Sequence, residues 1–114
     1  MHVTRFVEAK PYEAKGHFLV STLQLQGGSE SETQCFTCGL SQFLPGGGAE
    51  RSESPLEKIY VVLSGTIAII TDRSEFVLGP LDSCHLMPGE ARSVKNHSNE
   101  VATVLVILSK PEAR

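Results

Sequence analysis

Apolar residues along the chain form short runs that are separated by polar turns, a pattern that predicts β-strands. The two strongest runs are residues 58–72, interrupted at Gly65, and residues 101–108. Residues 76–78 follow a polar turn, which predicts a hairpin with the run before it. No segment keeps a helical apolar period for three turns. Shorter strands are predicted at residues 18–25, 36–43, 83–87 and 92–96.

The spacing of the turns indicates the fold class. Glycine- and proline-rich turns occur at Gly27-Gly28, at residues 45–48, at Gly79-Pro80 and at Pro88-Gly89. They recur at roughly the 8–12-residue spacing that is typical of an all-β sandwich or barrel. A length of 114 residues suits one domain over residues 1–114. Within it we predict a strand segment over 1–26, a mobile polar loop at about 27–34 and a barrel over about 36–109.

Charge and cysteine content exclude several classes of partner. The net charge of −3 leaves no broad basic surface for nucleic acid. No apolar run approaches the roughly 20 residues that cross a bilayer, so we expect no membrane partner. The first residues lack the layout of a secretion signal. The chain has 3 cysteines, an odd number, which favours a reduced, cytoplasmic protein.

Two segments carry a resemblance to a known family. Residues 45–65 run from a Pro-Gly turn to Gly65 and resemble the first cupin motif, which continues through His-x-His to a Glu and, after six residues, a Gly. Residues 81–96 end in Pro88-Gly89 and Asn96 and resemble the second motif, in which a histidine lies between the Gly and the Asn. The resemblance implies a small single-domain cupin, a jelly-roll β-barrel of the cupin 2 type.

The positions at which cupins usually bind a metal hold other residues here. Counting from Gly65 places Lys58 at the glutamate position and Arg51 and Glu53 at two histidine positions. The third histidine position falls on Arg92. Lysine and arginine are not ordinary ligands for zinc, iron or manganese. We therefore expect no metal and no other cofactor.

The replacement set suggests a cavity for an anion. If these side chains face the barrel interior, three cations and one anion give it a formal charge of about +2, which favours a small anionic organic molecule such as a carboxylate or phosphate. Lys58, Glu53 and Tyr60 are the predicted catalytic residues, because a confined lysine can act as a base or form a Schiff base. The predicted substrate-binding residues are Arg51, Arg92 and His85. The predicted activity is that of a lyase, isomerase or decarboxylase.

Several alternatives stay open. The same pocket could serve a non-catalytic sensor or accessory protein, and the charged set could be a structural ion-pair network. A third hypothesis is a metal-dependent dioxygenase with a displaced site built from Glu53, Glu57, His85 or the cysteines. The sequence does not decide whether Glu57 or Lys58 faces the cavity, nor what Cys35, Cys38 and Cys84 do. By resemblance to cupins of this size, we also expect a homodimer.

Overall fold

The computed structural model describes residues 1–111 and is built almost entirely of β-strands. A single 3₁₀ turn at Phe6–Glu8 precedes the first strand, and no α-helix occurs among the described residues. No helix in this part of the chain has the length and apolar character needed to span a membrane. The strands in chain order are β1 (Lys10–Pro11), β2 (His17–Gln26), β3 (Phe36–Ser52), β4 (Lys58–Ser64), β5 (Ile67–Thr71), β6 (Glu75–Leu78), β7 (Ser83–Leu86), β8 (Arg92–Lys95) and β9 (Ala102–Ser109).

The strands form one antiparallel sheet that curls into a nearly closed barrel. Its main path is β6-β5-β8-β3-β9-β4-β7, and β2 pairs with β3 beside this path. The path brings together strands that are far apart in sequence, since β4 lies between β7 and β9. The inner faces of β3, β4, β8 and β9 therefore converge on one interior.

Strand β3 is longer than predicted because the glycine-rich stretch bends it instead of ending it. The first part of β3 pairs with β9, from Phe36 to Phe43, and the last part pairs with β8. Gly46 adopts φ +82°, and a Cβ at Gly48 would lie 2.0 Å from the carbonyl oxygen of Val94. Glycine is thus needed where β3 turns from one partner strand to the next. The turn that the sequence predicted here is a bend within a strand.

Buried apolar side chains and one buried amide stabilise the barrel. The most buried members of the core include Val62 and Ile67. Asn96 is fully buried, and its Nδ2 donates to the carbonyl oxygens of Phe43 at 3.0 Å and Glu100 at 2.7 Å. Its Oδ1 accepts from the backbone N and Oγ of Ser98. All the hydrogen-bonding capacity of this amide is used, so it fixes the turn between β8 and β9.

The all-β prediction is confirmed, and most strand positions agree within a residue or two. The long run 58–72 is two strands, because Gly65 at φ +75° ends β4 before β5 begins. The short β1 and the 3₁₀ turn were not predicted. The single-domain boundaries and the mobility of the loop at 27–34 stay predictions.

Gly65 and Gly89 offer a matched test of backbone and steric constraint. Both have positive φ, +75° and +83°. A Cβ at Gly65 would lie 2.5 Å from the carbonyl oxygen of Val101, whereas a Cβ at Gly89 meets nothing within 4 Å. We expect Gly89→Ala to cost about 1–2 kcal/mol of unfolding free energy and Gly65→Ala clearly more, because overlap adds to strain. Urea denaturation of both variants measures the difference, and equal losses would contradict the steric argument.

Candidate functional site

The barrel contains a cavity of about 220 Å³ that is partly open to solvent. Most of its wall is apolar, and the polar side chains come from strands that are distant in the chain. The apolar wall includes Phe43, Leu56, Ile67, Ile69, Val104 and Leu108. The polar lining includes Tyr12, His17, Ser54, Lys58, Tyr60 and Arg92. A largely apolar pocket with a few polar groups is typical of a small-molecule site.

Arg92 is the buried cation of this cavity, with 4% of its surface exposed. Its Nε donates to Oη of Tyr60 at 2.9 Å. Its Nη1 donates to Oγ of Ser52 at 3.0 Å and to the carbonyl oxygen of Glu50 at 3.2 Å. All these acceptors are neutral. The guanidinium is therefore held in place by hydrogen bonds, and no carboxylate in the described part of the chain forms an ion pair with it.

Lys58 enters the same cavity from β4 and is half-buried. Burial lowers the pKa of its amine to about 8, and the nearby positive charge of Arg92 adds to this effect. The ion pairs among residues 1–111 are Arg51–Asp72 and His85–Glu57, so neither involves Lys58. At neutral pH the described lining of the cavity thus includes two cations, Lys58 and Arg92, and no anion, giving the charge near +2 that the sequence suggested from a different set of residues.

Tyr60, which was also predicted from the sequence, lines the cavity together with Arg92 and Lys58. It is 6% exposed, and burial raises the pKa of its phenol although Arg92 acts in the opposite direction. The phenol is therefore neutral at pH 7. Its oxygen accepts from Arg92, which leaves its proton available to a neighbouring acceptor or ligand.

His17 completes the site and was not predicted from the sequence. Its Nδ1 donates to the carbonyl oxygen of Lys15 at 3.0 Å, and its ring stacks on Phe43 with centroids 6.4 Å apart. Because a carbonyl only accepts, Nε2 is the unprotonated nitrogen of the neutral ring. Burial lowers the pKa of His17, and Arg92 and Lys58 add to the decrease. His17 and Tyr12 come from the N-terminal segment that folds back over the barrel, a contact that no motif or spacing signals.

Arg51 and Glu53 do not face the interior, which corrects the position predicted for them. The pairing between β3 and β8 contains one extra residue on β3, because Ala49 pairs with Val94 but Ser52 pairs with Arg92. This bulge reverses the inward and outward faces beyond Ala49. Arg51 is exposed and donates to Asp72 through Nε at 3.1 Å and Nη2 at 2.9 Å. The positions that the motif count gave to Arg51 and Glu53 belong instead to Ser52 and Ser54.

The remaining predicted residues also lie outside the cavity. His85 pairs with Glu57 on the outer surface, so Lys58 and not Glu57 is the inward residue. Glu53 lines a separate shallow depression with Asp72 and Glu90. Cys35, Cys38 and Cys84 are free thiols. Within residues 1–111, no three His, Cys, Asp or Glu side chains come close enough to hold a metal ion, and the residues named for a displaced site are not brought together.

Comparison with known proteins identifies the family. The model of the cupin domain matches residues 39–108. The chain belongs to the cupin family. It is 43% identical over 113 residues to the β-D-galactosidase Rv1717 of Mycobacterium tuberculosis, covering 99% of this chain and 97% of that protein.

Solved structures show the same fold at low sequence identity. The polyketide cyclase RemF of Streptomyces resistomycificus superposes with a TM-score of 0.86 at 15% identity, covering 100% of this chain and 82% of the cyclase. A predicted oxalate decarboxylase of Thermotoga maritima superposes with a TM-score of 0.79 at 18% identity, covering 97% of this chain and 100% of that chain. These similarities establish the barrel and leave its chemistry to the residues of the cavity.

The cavity residues do not fit the metal that cupins usually bind. The side chains found where the motif count expects ligands are Ser54, Lys58 and Arg92, which line the cavity, and Ser52, whose Oγ accepts from Arg92. Two hydroxyls, an amine and a guanidinium do not form a ligand set for a divalent transition metal. His17 is the one imidazole among the described residues of the cavity lining.

The confined lysine predicts a specific dependence of stability on pH. The pKa of Lys58 is about 8 in the folded protein, against an ordinary value of 10.5. Below pH 8 Lys58 is protonated in both the folded and the unfolded protein. The folded protein then bears the full free-energy cost of partly burying the ammonium group. Between pH 8 and 10.5 the unfolded state binds more protons, so this residue makes the free energy of unfolding rise with pH. Replacement of Lys58 by Met removes that contribution.

We expect the stability of the wild type relative to Lys58→Met to increase as the pH rises from 7 to 10. Urea denaturation of both proteins at matched pH values measures the difference in their free energies of unfolding. Cysteines and tyrosines are common to both proteins, so their titration cancels in this difference. The control is Lys10→Ala, a substitution at an exposed lysine that is not among the residues described as lining the cavity, measured at the same pH values. Parallel curves for the wild type and Lys58→Met would contradict the confinement of this amine.

Proposed function

We propose that the protein is an enzyme that performs proton transfer without a metal on a small molecule bound in the barrel cavity. The observation that carries this proposal is that Lys58 and Arg92 share the cavity without a carboxylate among its described lining residues. Two uncompensated cations favour a ligand with an anionic oxygen, or with an oxygen that becomes anionic during reaction. The apolar wall favours a ligand whose remaining surface is apolar.

Each polar group has a role that its environment supports. Arg92 is fixed by Tyr60 and Ser52 and stabilises negative charge on the ligand. His17 is neutral at pH 7 with Nε2 free, and it is the general base. Lys58 is mostly protonated at pH 7 and supplies a proton or a second positive charge. The reaction class is that of a lyase, isomerase or decarboxylase.

The volume of the cavity limits the ligand. At about 220 Å³ it is smaller than the roughly 300–1,000 Å³ of pockets that hold drug-sized molecules. The substrate, or the part of it that reacts, is therefore about the size of a small organic acid, one ring or one sugar unit. A non-catalytic sensor with the same pocket would bind such a molecule without turnover, so turnover separates the two hypotheses.

The test is turnover of a panel of small oxo acids, hydroxy acids and ketones by protein treated with EDTA and dialysed. We expect activity to survive this treatment. We expect Lys58→Met and His17→Gln to lower kcat/KM about 100-fold or more, because a positioned acid or base contributes on that order. Lys10→Ala is the matched control and keeps the rate of the wild type.

The pH dependence gives a second readout of the same experiment. With Lys58 as the proton donor, activity should rise as His17 loses its proton below its ordinary pKa and fall as Lys58 loses its proton near pH 8. With the unprotonated amine of Lys58 as a nucleophile, activity should instead rise through pH 8. Stoichiometric iron, manganese, nickel or zinc in untreated protein, with activity lost on its removal, would overturn the proposal. Binding of these compounds without any turnover would favour the sensor.

A second candidate function is hydrolysis of a β-D-galactoside, and the relative that is 43% identical over nearly its whole length favours it. Most glycosidases use two carboxyl groups across the scissile bond. The described lining of the cavity includes no Asp or Glu. Hydrolysis in this cavity would therefore use His17 as the base that activates water and Lys58 or Tyr60 as the proton donor.

The galactosidase hypothesis is tested with p-nitrophenyl β-D-galactoside. We expect release of nitrophenol from the β-galactoside and not from the α-anomer or the β-glucoside. If the cavity is the site, His17→Gln abolishes the release and Lys10→Ala retains it. Release that is unaffected by His17→Gln and Lys58→Met, but lost in Glu53→Gln, would place hydrolysis at the shallow acidic depression and not in the cavity.

A further inference from the structure

We propose that Nζ of Lys58 is a nucleophile that forms an imine with a small aldehyde or ketone held in the barrel cavity. This inference rests on the proposed function and names the class of its substrate. The argument depends on the partners of the amine, on its surroundings and on the groups that face it.

Lys58 combines partial burial with the lack of a partner among residues 1–111, whereas Lys10 and Lys15 are exposed and Lys95 and Lys110 are hydrogen-bonded. Nζ of Lys95 donates to the carbonyl oxygen of Gly46 at 2.8 Å and lies 5.1 Å from the centroid of the Phe18 ring. Nζ of Lys110 donates to the carbonyl oxygen of Thr33. Among residues 1–111, Nζ of Lys58 makes neither a hydrogen bond nor an ion pair with protein, although it is half-buried. Its lone pair, when the proton is lost, is free to attack a ligand.

The surroundings of Lys58 increase the fraction of reactive amine. Leu56 and Leu108 line the cavity with it, and Arg92 contributes a like charge. The resulting pKa of about 8 leaves roughly a quarter of this amine unprotonated at pH 7.5. A lysine with the ordinary value near 10.4 is only about 0.1% unprotonated at that pH. Burial and like charge activate catalytic lysines by this same route.

The groups around Lys58 can move the protons that imine formation requires. The amine nitrogen bonds to the carbonyl carbon, the carbonyl π bond becomes an oxyanion, and the nitrogen loses a proton. Arg92 stabilises the oxyanion, and Nε2 of His17 accepts the proton. That proton, with one from Tyr60 or solvent, converts the oxygen to water, which leaves as the carbon–nitrogen double bond forms. The resulting iminium returns its remaining N–H proton to Tyr60 or solvent. The balance is amine plus carbonyl giving imine plus water, and no oxidant is needed.

The experiment traps the imine on the full-length wild-type protein. The probe is benzaldehyde with sodium cyanoborohydride at pH 7.5, because cyanoborohydride supplies the hydride that converts an imine to a stable secondary amine. Peptide mapping by mass spectrometry then gives the modified fraction at each lysine. We expect Lys58 to be modified at least about tenfold more than Lys10, Lys15, Lys95 or Lys110. Lys10→Ala keeps the selective adduct, and Lys58→Met loses it.

The outcomes separate this inference from the proposed function. Equal modification of all lysines, or modification of the exposed lysines without Lys58, overturns the imine site. If turnover is then still lost in Lys58→Met, the proposed function is retained and Lys58 acts only as an acid or a charge. Selective modification of Lys58 in a protein without turnover supports the imine site and counts against the proposed enzyme.

Discussion

The site depends on a buried guanidinium that is held entirely by neutral acceptors. Arg92 connects β8 to Tyr60 on β4 and to Glu50 and Ser52 on β3, so one side chain fixes the relative positions of three strands. Burial of a charge is costly unless it is hydrogen-bonded, and these contacts offset that cost. Because no carboxylate within residues 1–111 forms an ion pair with Arg92, its charge acts on the rest of the cavity. The lowered pKa values of Lys58 and His17 are partly consequences of it.

The family match and the structural neighbours establish the cupin fold, but they do not establish which reaction the cavity residues perform. The cupin barrel is shared with proteins described as a galactosidase, a cyclase and a predicted decarboxylase, so the barrel itself does not specify a reaction. The relative from M. tuberculosis is similar over nearly its full length and carries more weight than the structural neighbours. If the two proteins share an activity, glycoside hydrolysis takes place at a site whose described lining has no carboxylate. Groups other than the usual pair of carboxyl groups would then perform it.

Much of the fold and about half of the site were predictable from the sequence. Apolar runs and turn spacing gave the strands, because alternation and turn chemistry are local properties. Lys58 and Arg92 were located because each lies at a fixed distance from a motif glycine, and Tyr60 because strand alternation places it on the same face as Lys58. Arg51 and Glu53 were misplaced, because the count from Gly65 crosses the loop between β3 and β4, where strand alternation does not fix the face of a side chain. His17 and Tyr12 were missed because chain folding alone brings the N-terminal segment to the cavity.

The bulge between Ala49 and Ser52 also decides which side chain lies beside Arg92. With Ala49 opposite Val94, a regular antiparallel register would place Arg51 opposite Arg92, and the extra residue of the bulge places Ser52 there instead. A slip of one residue in this pairing, without any change in the sequence, would therefore exchange a hydroxyl for a third cation. Removal of Glu50 or Arg51 would restore regular pairing and leave Ser52 in place, so an alignment of related barrels that puts a gap beyond Ser52 compares residues on opposite faces of the wall.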